Sequence, residues 1–255
     1  MARIDRILLR LYARLERPLL RLNFAIVRAR WTYWPPLRWL IGRLFLDPLS
    51  KLGAVGQPIT PAEAAALVRE AEREGALAIG PCGCRSVHHG CSHPLRTDTV
   101  IFAGAPAWQA AFPAEYERTT AADVLATMEA CRRLGMIQVL YQTGMSAPGG
   151  AGKEESQDVR PYVLCNCCAD GCVPLLNRRF YPAYRFLPGA HVAVVDAGRC
   201  SGCGDCITLC PFDARRPDDA GIVAGCLGCG LCSERCLQGA VDMMSRGDSP
   251  LRSGQ

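Results

Sequence analysis

The chain has 255 residues, enough for one or two domains with a sizeable core. Its sixteen cysteines are spaced as metal ligands rather than as a disulfide framework, and no cleavable signal peptide or twin-arginine export signal is expected, so the pattern excludes a small secreted scaffold and points to the reducing cytoplasm. The formal net charge of +5 is uneven: residues 1–58 carry ten Arg and one Lys against Asp5, Glu16 and Asp47, a balance of +8 that leaves −3 for the remainder, so the basic charge marks one segment and not a nucleic-acid-binding domain.

Arg3, Arg6, Arg10, Arg14, Arg17 and Arg21 recur at three or four residues and form one stripe of a predicted helix. Ile4, Leu8, Leu11, Leu15, Leu19 and Leu22 lie on its other side. Such a helix suits an anionic membrane surface or an acidic partner. Pro18 is expected to kink it or to start a second helix. Trp31, Trp34 and Trp39 follow within nine residues, with Tyr33 among them and Ile41, Leu44, Phe45 and Leu46 beyond. Tryptophan favours the lipid–water boundary, because its ring is apolar and its N–H is polar. Arginines interrupt every apolar run, and none nears the roughly 20 residues of a membrane span. Residues 1–50 are therefore expected to touch a membrane, or a membrane subunit, peripherally at the cytoplasmic face. Packing on the chain's own core and a transit peptide are the alternatives.

Thr60-Pro61-Ala62-Glu63 predicts a capped helix start, with proline at the first helical position and a glutamate to close a capping box. That helix should run to about Glu74 and end at Gly75. Thr120-Ala121-Ala122-Asp123 repeats the logic, with an end near Gly135. Strands are predicted at 76–79, 136–142 and 159–164, with an exposed loop over 144–158. Cys82, Cys84 and Cys91 follow the first strand, and Cys165, Cys167, Cys168 and Cys172 follow the last. If both strands share a sheet, both groups emerge at one end, where a shared metal site would tie the domain together. Seven thiols in two tight groups admit three readings: an iron–sulfur cluster, a zinc site from four of them, or core cysteines. The surplus over four leaves room for an unusual or open centre, and the adjacent Cys167-Cys168 pair departs from a standard cubane pattern. His88, His89 and His93 flank Cys91 as candidate ligands or proton relays, or as a polar loop. Cys131 is expected in the core beside Met128 and Leu134. Arg85 is either a counter-charge to a thiolate-bound cluster or a surface arginine.

Near the C-terminus two identical runs read Cys200-x2-Cys203-x2-Cys206-x3-Cys210-Pro211 and Cys226-x2-Cys229-x2-Cys232-x3-Cys236, repeated at a period of 26 residues. Each iron of a 4Fe–4S cubane needs a thiolate; three closely spaced cysteines cap three corners and the fourth ligand comes from the other run. Cys200, Cys203, Cys206 and Cys236 then hold one cluster, and Cys226, Cys229, Cys232 and Cys210 the other. A structural zinc site would need only two Cys-x2-Cys pairs, not two sets of three plus one. Gly202, Gly204, Gly228 and Gly230 stand between ligands, where backbone must approach a cluster. These runs resemble the bacterial-type two-cluster ferredoxins, from which the chain departs at Leu237, where that family usually has proline.

Residues of about 60–240 also resemble a poorly characterised group of ferredoxin-type proteins with an upstream Cys-x-Cys-Arg segment, here Cys82-Gly83-Cys84-Arg85, and a Cys-Asn-Cys-Cys segment, here Cys165 to Cys168. Members often carry further cysteines where this chain has Asp170 and Gly171. The expected fold class is α+β: a two-cluster ferredoxin-like module over 191–246, a small mixed α/β cysteine-rich domain over 59–190, a basic amphipathic helical segment over 1–58 and a tail over 247–255. No dinucleotide fingerprint, phosphate-binding loop or nucleophile elbow appears. The first functional expectation is an electron carrier, a subunit or dedicated redox partner of a larger oxidoreductase, with two 4Fe–4S clusters and a third in the middle region. A redox enzyme with a catalytic metal centre there, and a redox sensor or scaffold with structural zinc there, are the alternatives.

Overall fold

A computed structural model describes residues 3–52, 54–88, 91–143 and 162–247. It opens with helices α1 (Arg3–Arg28), α2 (Pro35–Ile41) and α3 (Asp47–Leu52). There follow β1 (Ala54–Ile59), α4 (Pro61–Arg73), β2 (Leu77–Pro81), α5 (Gly83–Val87), β3 (Arg96–Ile101) and α6 (Gly104–Ala111). Next come β4 (Glu117–Arg118), α7 (Ala121–Arg133), β5 (Ile137–Thr143), β6 (Val163–Cys167) and α8 (Val173–Phe180). The C-terminal part adds β7 (His191–Val195), α9 (Asp205–Thr208), β8 (Gly221–Ile222), α10 (Leu231–Arg235) and β9 (Val241–Ser245). The fold is mixed α+β with two antiparallel sheets.

Both capped helices begin where their sequences place them. Glu63 N–H donates to Thr60 Oγ1 at 3.4 Å while Thr60 N–H donates to the Glu63 carboxylate at 2.7 Å, which closes the capping box of α4. Asp123 N–H donates to Thr120 Oγ1 at 3.2 Å at the start of α7. Gly75 and Gly135 follow these helices with positive φ.

The larger sheet has the order β1-β5-β6-β3-β2-β4, and every neighbouring pair is antiparallel. Alternate residues along each strand serve two cores. Leu77, Ile101, Leu140 and Leu164 meet Val68 and Ala71 of α4 and Val124 and Met128 of α7 on one face. Ala78, Val100, Val139 and Val163 meet Ala13 of α1, Trp108 of α6 and Leu175 of α8 on the other. β6 lies later than expected: Cys165 and Cys167 are in the strand and not beyond it. The loop expected over 144–158 falls outside the described residues. The β1 strand straddles position 58, so the sheet draws its edge from the segment read as N-terminal. Pro58 is tolerated there because an edge strand can spare an N–H.

The α1 helix does not restart at Pro18 but runs through it as one helix. Pro18 and Arg14 are both exposed, so the carbonyl that Pro18 leaves unpaired faces water. One face of α1 packs on α5, α6 and α8 and buries Ala13, Asn23 and Val27. Arg17 pairs with Glu115, Nη1 to Oε1 at 2.9 Å, and lies over the Phe112 ring. Leu11, Leu15, Leu19 and Leu22 stay exposed, and beyond the helix Trp31, Trp34 and Trp39 are 67%, 65% and 62% exposed. Self-packing thus accounts for one face of the N-terminal segment and leaves an apolar one uncovered. Among the described residues no helix is long and apolar enough to cross a membrane.

The smaller sheet, β8-β7-β9, has its own core of Ala193, Val195, Val223 and Val241. It is joined to the larger sheet's core through Phe186 and Phe212, whose rings meet edge to face at 5.4 Å, and through Arg235, whose Nη2 donates to Arg132 O at 2.7 Å.

Candidate metal centres

The C-terminal cysteine runs fold as a pseudo-repeat. The residues before α9 and α10, Gly204 and Gly230, have φ of 79° and 78°, and Asp213 and Gly239 match at 52° and 58°. Ala214 N–H points at Cys210 Sγ at 3.4 Å, and Ala240 N–H points at Cys236 Sγ at 3.3 Å. These pairs are all 26 residues apart. Backbone N–H groups aimed at sulfur favour the thiolate and stabilise a cluster's negative charge. Gly228, at φ 87°, is needed for a second reason: a Cβ there would lie 2.4 Å from His191 O.

Cys210, Cys226, Cys229 and Cys232 all line one small cavity, which brings together one of the two ligand sets drawn from the sequence. Of the other set, Cys200 and Cys203 sit on the exposed loop before α9, Cys206 at its first turn and Cys236 at the end of α10. Leu237 is 93% exposed while Pro211, its counterpart in the first run, is buried. The donor chemistry, the left-handed glycine turns and the enclosed thiols fit a cubane. Arg215 joins the two sets and was not singled out in the sequence. It is 4% exposed, pairs with Asp219 at 2.9 Å, donates from Nη2 to Cys206 Sγ at 3.1 Å and lines the cavity of the other four cysteines. Its proximity to the repeated Cys210 was the available signal.

In the middle region β2 and β6 are both antiparallel to β3, so they run the same way and end at one edge. Cys82, Cys165, Cys167 and Cys172 are buried in one packed cluster with Cys84 against it. Electrostatic coupling runs from Cys82 to Cys165 and Cys84, from Cys84 to Cys172, from Cys172 to Cys167 and from Cys167 to Cys165, a closed ring of five. The Cys-Asn-Cys spacing supplies two of them because alternate strand residues share a face. Asn166 faces the other way, accepts from Gln138 Nε2 at 2.9 Å and donates to Thr97 O at 2.9 Å. Hydrogen bonds from Cys165 and Cys84 hold the Cys82 thiol well below its ordinary range, with a smaller contribution from the Arg85 N–H. Burial opposes the same shift at Cys172, but hydrogen bonds from Cys167 and Cys84 bring that thiol down as well. Both sulfurs precede helix N-termini, α5 and α8, where thiolate is favoured.

The ring borders a cavity of about 90 Å³ that Tyr12, Glu16, Asp98 and Tyr141 also line. Tyr141 Oη lies 3.7 Å from Cys167 Sγ and 3.9 Å from Cys172 Sγ. The α1 helix closes over it: a Cβ on Gly83 would lie 3.1 Å from the Glu16 carboxyl, so glycine permits the approach. Trp108 Nε1 donates to Glu16 Oε2 at 3.1 Å. Burial, reinforced by Cys82, pushes the Glu16 carboxyl up to about 7 against the opposing pull of Trp108 and Arg17. Burial, with Cys82 and Glu16, likewise raises Asp98, which accepts from Tyr116 Oη at 2.8 Å. One acid among the arginines and leucines of α1 gave little sign of this role.

Cys91 and Cys168 do not join the ring. They lie together with Cys131 and Met136 in a separate apolar cluster, as expected for Cys131 as a core residue. Arg85 stands between the two groups and is buried, not a surface residue. Its Nη1 donates to Asn166 O at 3.0 Å and reaches Cys168 Sγ at 3.6 Å, and its Nη2 donates to Thr97. Burial works against its charge, but Cys82, Cys165 and Cys168 outweigh that and raise its pKa. His88 packs on the Phe24 ring at 4.1 Å, away from Cys91; His89 lies outside the described residues.

The repeated thiolate loops on an α+β frame define an iron–sulfur, ferredoxin-like protein. A family model described as a 4Fe-4S binding domain matches residues 193–216, which include Cys200, Cys203, Cys206 and Cys210. Among curated proteins the chain is similar to the uncharacterized ferredoxin-like protein YdhX of Escherichia coli strain K12, at 30% identity over 132 residues, 40% of this chain and 56% of that protein. The chain thus spans little more than half the length of that relative. No solved structure matches it significantly.

Two expectations follow from these contacts. Arg215→Gln removes a charge-assisted hydrogen bond to the Cys206 sulfur, and the potential of a cluster bound through Cys206 should fall by about 60 mV, the one-electron equivalent of roughly 1.4 kcal/mol, in an electrochemical titration. The raised Glu16 carboxyl adds stability that is fully present below about pH 4.5 and is lost as pH rises through about 7. Glu16→Gln should therefore flatten the pH dependence of Tm between those values and stabilise the protein above pH 7 by about 3 kcal/mol.

Proposed function

We propose that the chain is an electron-transfer subunit, or dedicated redox partner, of a membrane-associated oxidoreductase, passing single electrons through two 4Fe–4S clusters and a third iron–sulfur cluster. Cys200, Cys203, Cys206 and Cys236 would hold the first, Cys226, Cys229, Cys232 and Cys210 the second, and four of Cys82, Cys84, Cys165, Cys167 and Cys172 the third. Bound there, a cubane exchanges one electron at a time. The surrounding residues bury the middle thiols, aim N–H groups at the sulfurs of Cys210 and Cys236 and supply Arg85 and Arg215 as buried counter-charges.

The observation that carries this reading is the shared core. Cys82, Cys165, Cys167 and Cys172 belong to the same packed cluster as Phe186, Phe212 and Leu231, and Cys210 and Cys229 pack against it. The thiol ring and the second ligand set of the C-terminal module therefore border one apolar body. A catalytic centre at the ring is the second reading. The cavity favours it, since two proton-bearing carboxyls, Glu16 and Asp98, face the thiols.

Iron and acid-labile sulfide on anaerobically purified protein should each come to about twelve per chain, three cubanes of four, and to about eight in the double variant Cys165→Ser/Cys167→Ser, which leaves the ring too few thiols for a cubane. About eight in the unaltered protein would overturn the third cluster. The exposed leucine stripe and three tryptophans support docking at a membrane surface. Replacing Trp31, Trp34 and Trp39 by alanine should abolish co-sedimentation with anionic vesicles and leave the iron content unchanged; vesicle binding that survives would remove the membrane from the proposal.

A further inference from the structure

Two of the seven middle cysteines have no place in the thiol ring, and strand geometry gives the reason. Cys167 ends β6 with its side chain in the core under α1, and the next residue points the opposite way. Cys168 therefore emerges on the far side of Arg85. Cys91 meets it there from the segment after α5, and the contact depends on Gly171: a Cβ at that position would lie 3.0 Å from Cys91 Cβ, 3.1 Å from Cys168 Sγ and 3.2 Å from Cys91 Sγ.

Two further donors complete the group. Cys91 Sγ lies 3.5 Å from Cys168 Sγ, 3.0 Å from His93 Nδ1 and 3.7 Å from Asp170 Oδ1, and His93 Nδ1 lies 3.5 Å from Asp170 Oδ1. All four ligand atoms fall within 4.8 Å of one another. A tetrahedral zinc with sulfur at about 2.3 Å and nitrogen or oxygen at about 2.0–2.2 Å sets its donors about 3.3–3.8 Å apart. Three of these separations, 3.5, 3.7 and 3.5 Å, match those edges and Cys91 to His93, at 3.0 Å, is a little shorter, before any metal draws the donors in.

We propose that Cys91, His93, Cys168 and Asp170 form a mononuclear zinc site, separate from the thiol ring. The donor set selects the metal. Two thiolates are too few to cap a cubane, while two thiolates, an imidazole and a carboxylate suit a borderline-soft divalent ion with four-fold coordination. Charge balances as well: two thiolates and a carboxylate around a divalent cation leave one negative charge, and the guanidinium of Arg85 stands against Cys168. Asp170 is exposed and Cys168 buried, so the ion has a route in from solvent and a fixed inner wall. Four protein ligands make the site structural, a clasp between the segment after α5 and the turn after β6.

The site is independent of whether the ring holds a cluster, and the two failures read out differently, one as zinc and the other as iron. The test is zinc, iron and sulfide per chain on the full-length holoprotein after equilibration with zinc and gel filtration, for the unaltered chain, His93→Ala and Asp170→Asn. About one zinc should stay with the unaltered chain, His93→Ala should lose nearly all of it, and iron should not change. Cobalt in place of zinc should give thiolate-to-metal and tetrahedral d–d absorption in the unaltered chain and neither in His93→Ala. No retained zinc, zinc retained equally by both variants, or iron lost with His93 would overturn the proposal; the last would put these residues on an iron centre.

Discussion

The direction of two strands governs the middle of this molecule. Both β2 and β6 are antiparallel to β3, so they end at the same edge of the sheet with one strand between them. Five thiols converge there into one packed ring, and the alternation of side chains along β6 sends Cys165 and Cys167 into it and Cys168 out of it. Antiparallel pairing on either side of β3 is thus what turns two distant cysteine segments into donor sets. A one-residue slip of β6 would exchange Asn166 for the two ring cysteines and dismantle both groups at once.

The α1 helix closes the ring from above, and the closure has an electrostatic cost. Glu16 is pressed against Gly83 with a single hydrogen bond from Trp108, close to sulfurs that carry negative charge. A carboxyl in such a place holds its proton near neutral pH. Arg85 on one side and Arg215 in the C-terminal module offset the thiolates with buried positive charge. The same helix presents its leucines outward, so one element seals a site and offers a surface.

Much of this was legible in the residues. Thr60 and Thr120 mark helix starts, Gly75 and Gly135 the ends, and the 26-residue period of the C-terminal cysteines reappears in matched backbone angles and matched N–H contacts to sulfur. Other features lay beyond pattern. The β3 strand reads Arg-Thr-Asp-Thr and looks like a loop, because its buried Thr97 and Asp98 are satisfied by Arg85 and Tyr116 from elsewhere in the chain. Helix periodicity separated leucines from arginines in α1 but not the third face, where Tyr12, Glu16 and Asn23 meet the cysteine domain. The division of the seven thiols depends on where β6 ends, a boundary that sequence places only to within a few residues.

The most direct test of three redox centres is a stepwise reductive titration followed by electron paramagnetic resonance, on the unaltered protein and on the double variant Cys165→Ser/Cys167→Ser. Three separately reducible signals are expected in the first, and in the second only the two of the C-terminal module, with their mutual coupling intact. Two signals in both proteins would contradict the account and confine electron transfer to residues 191–246.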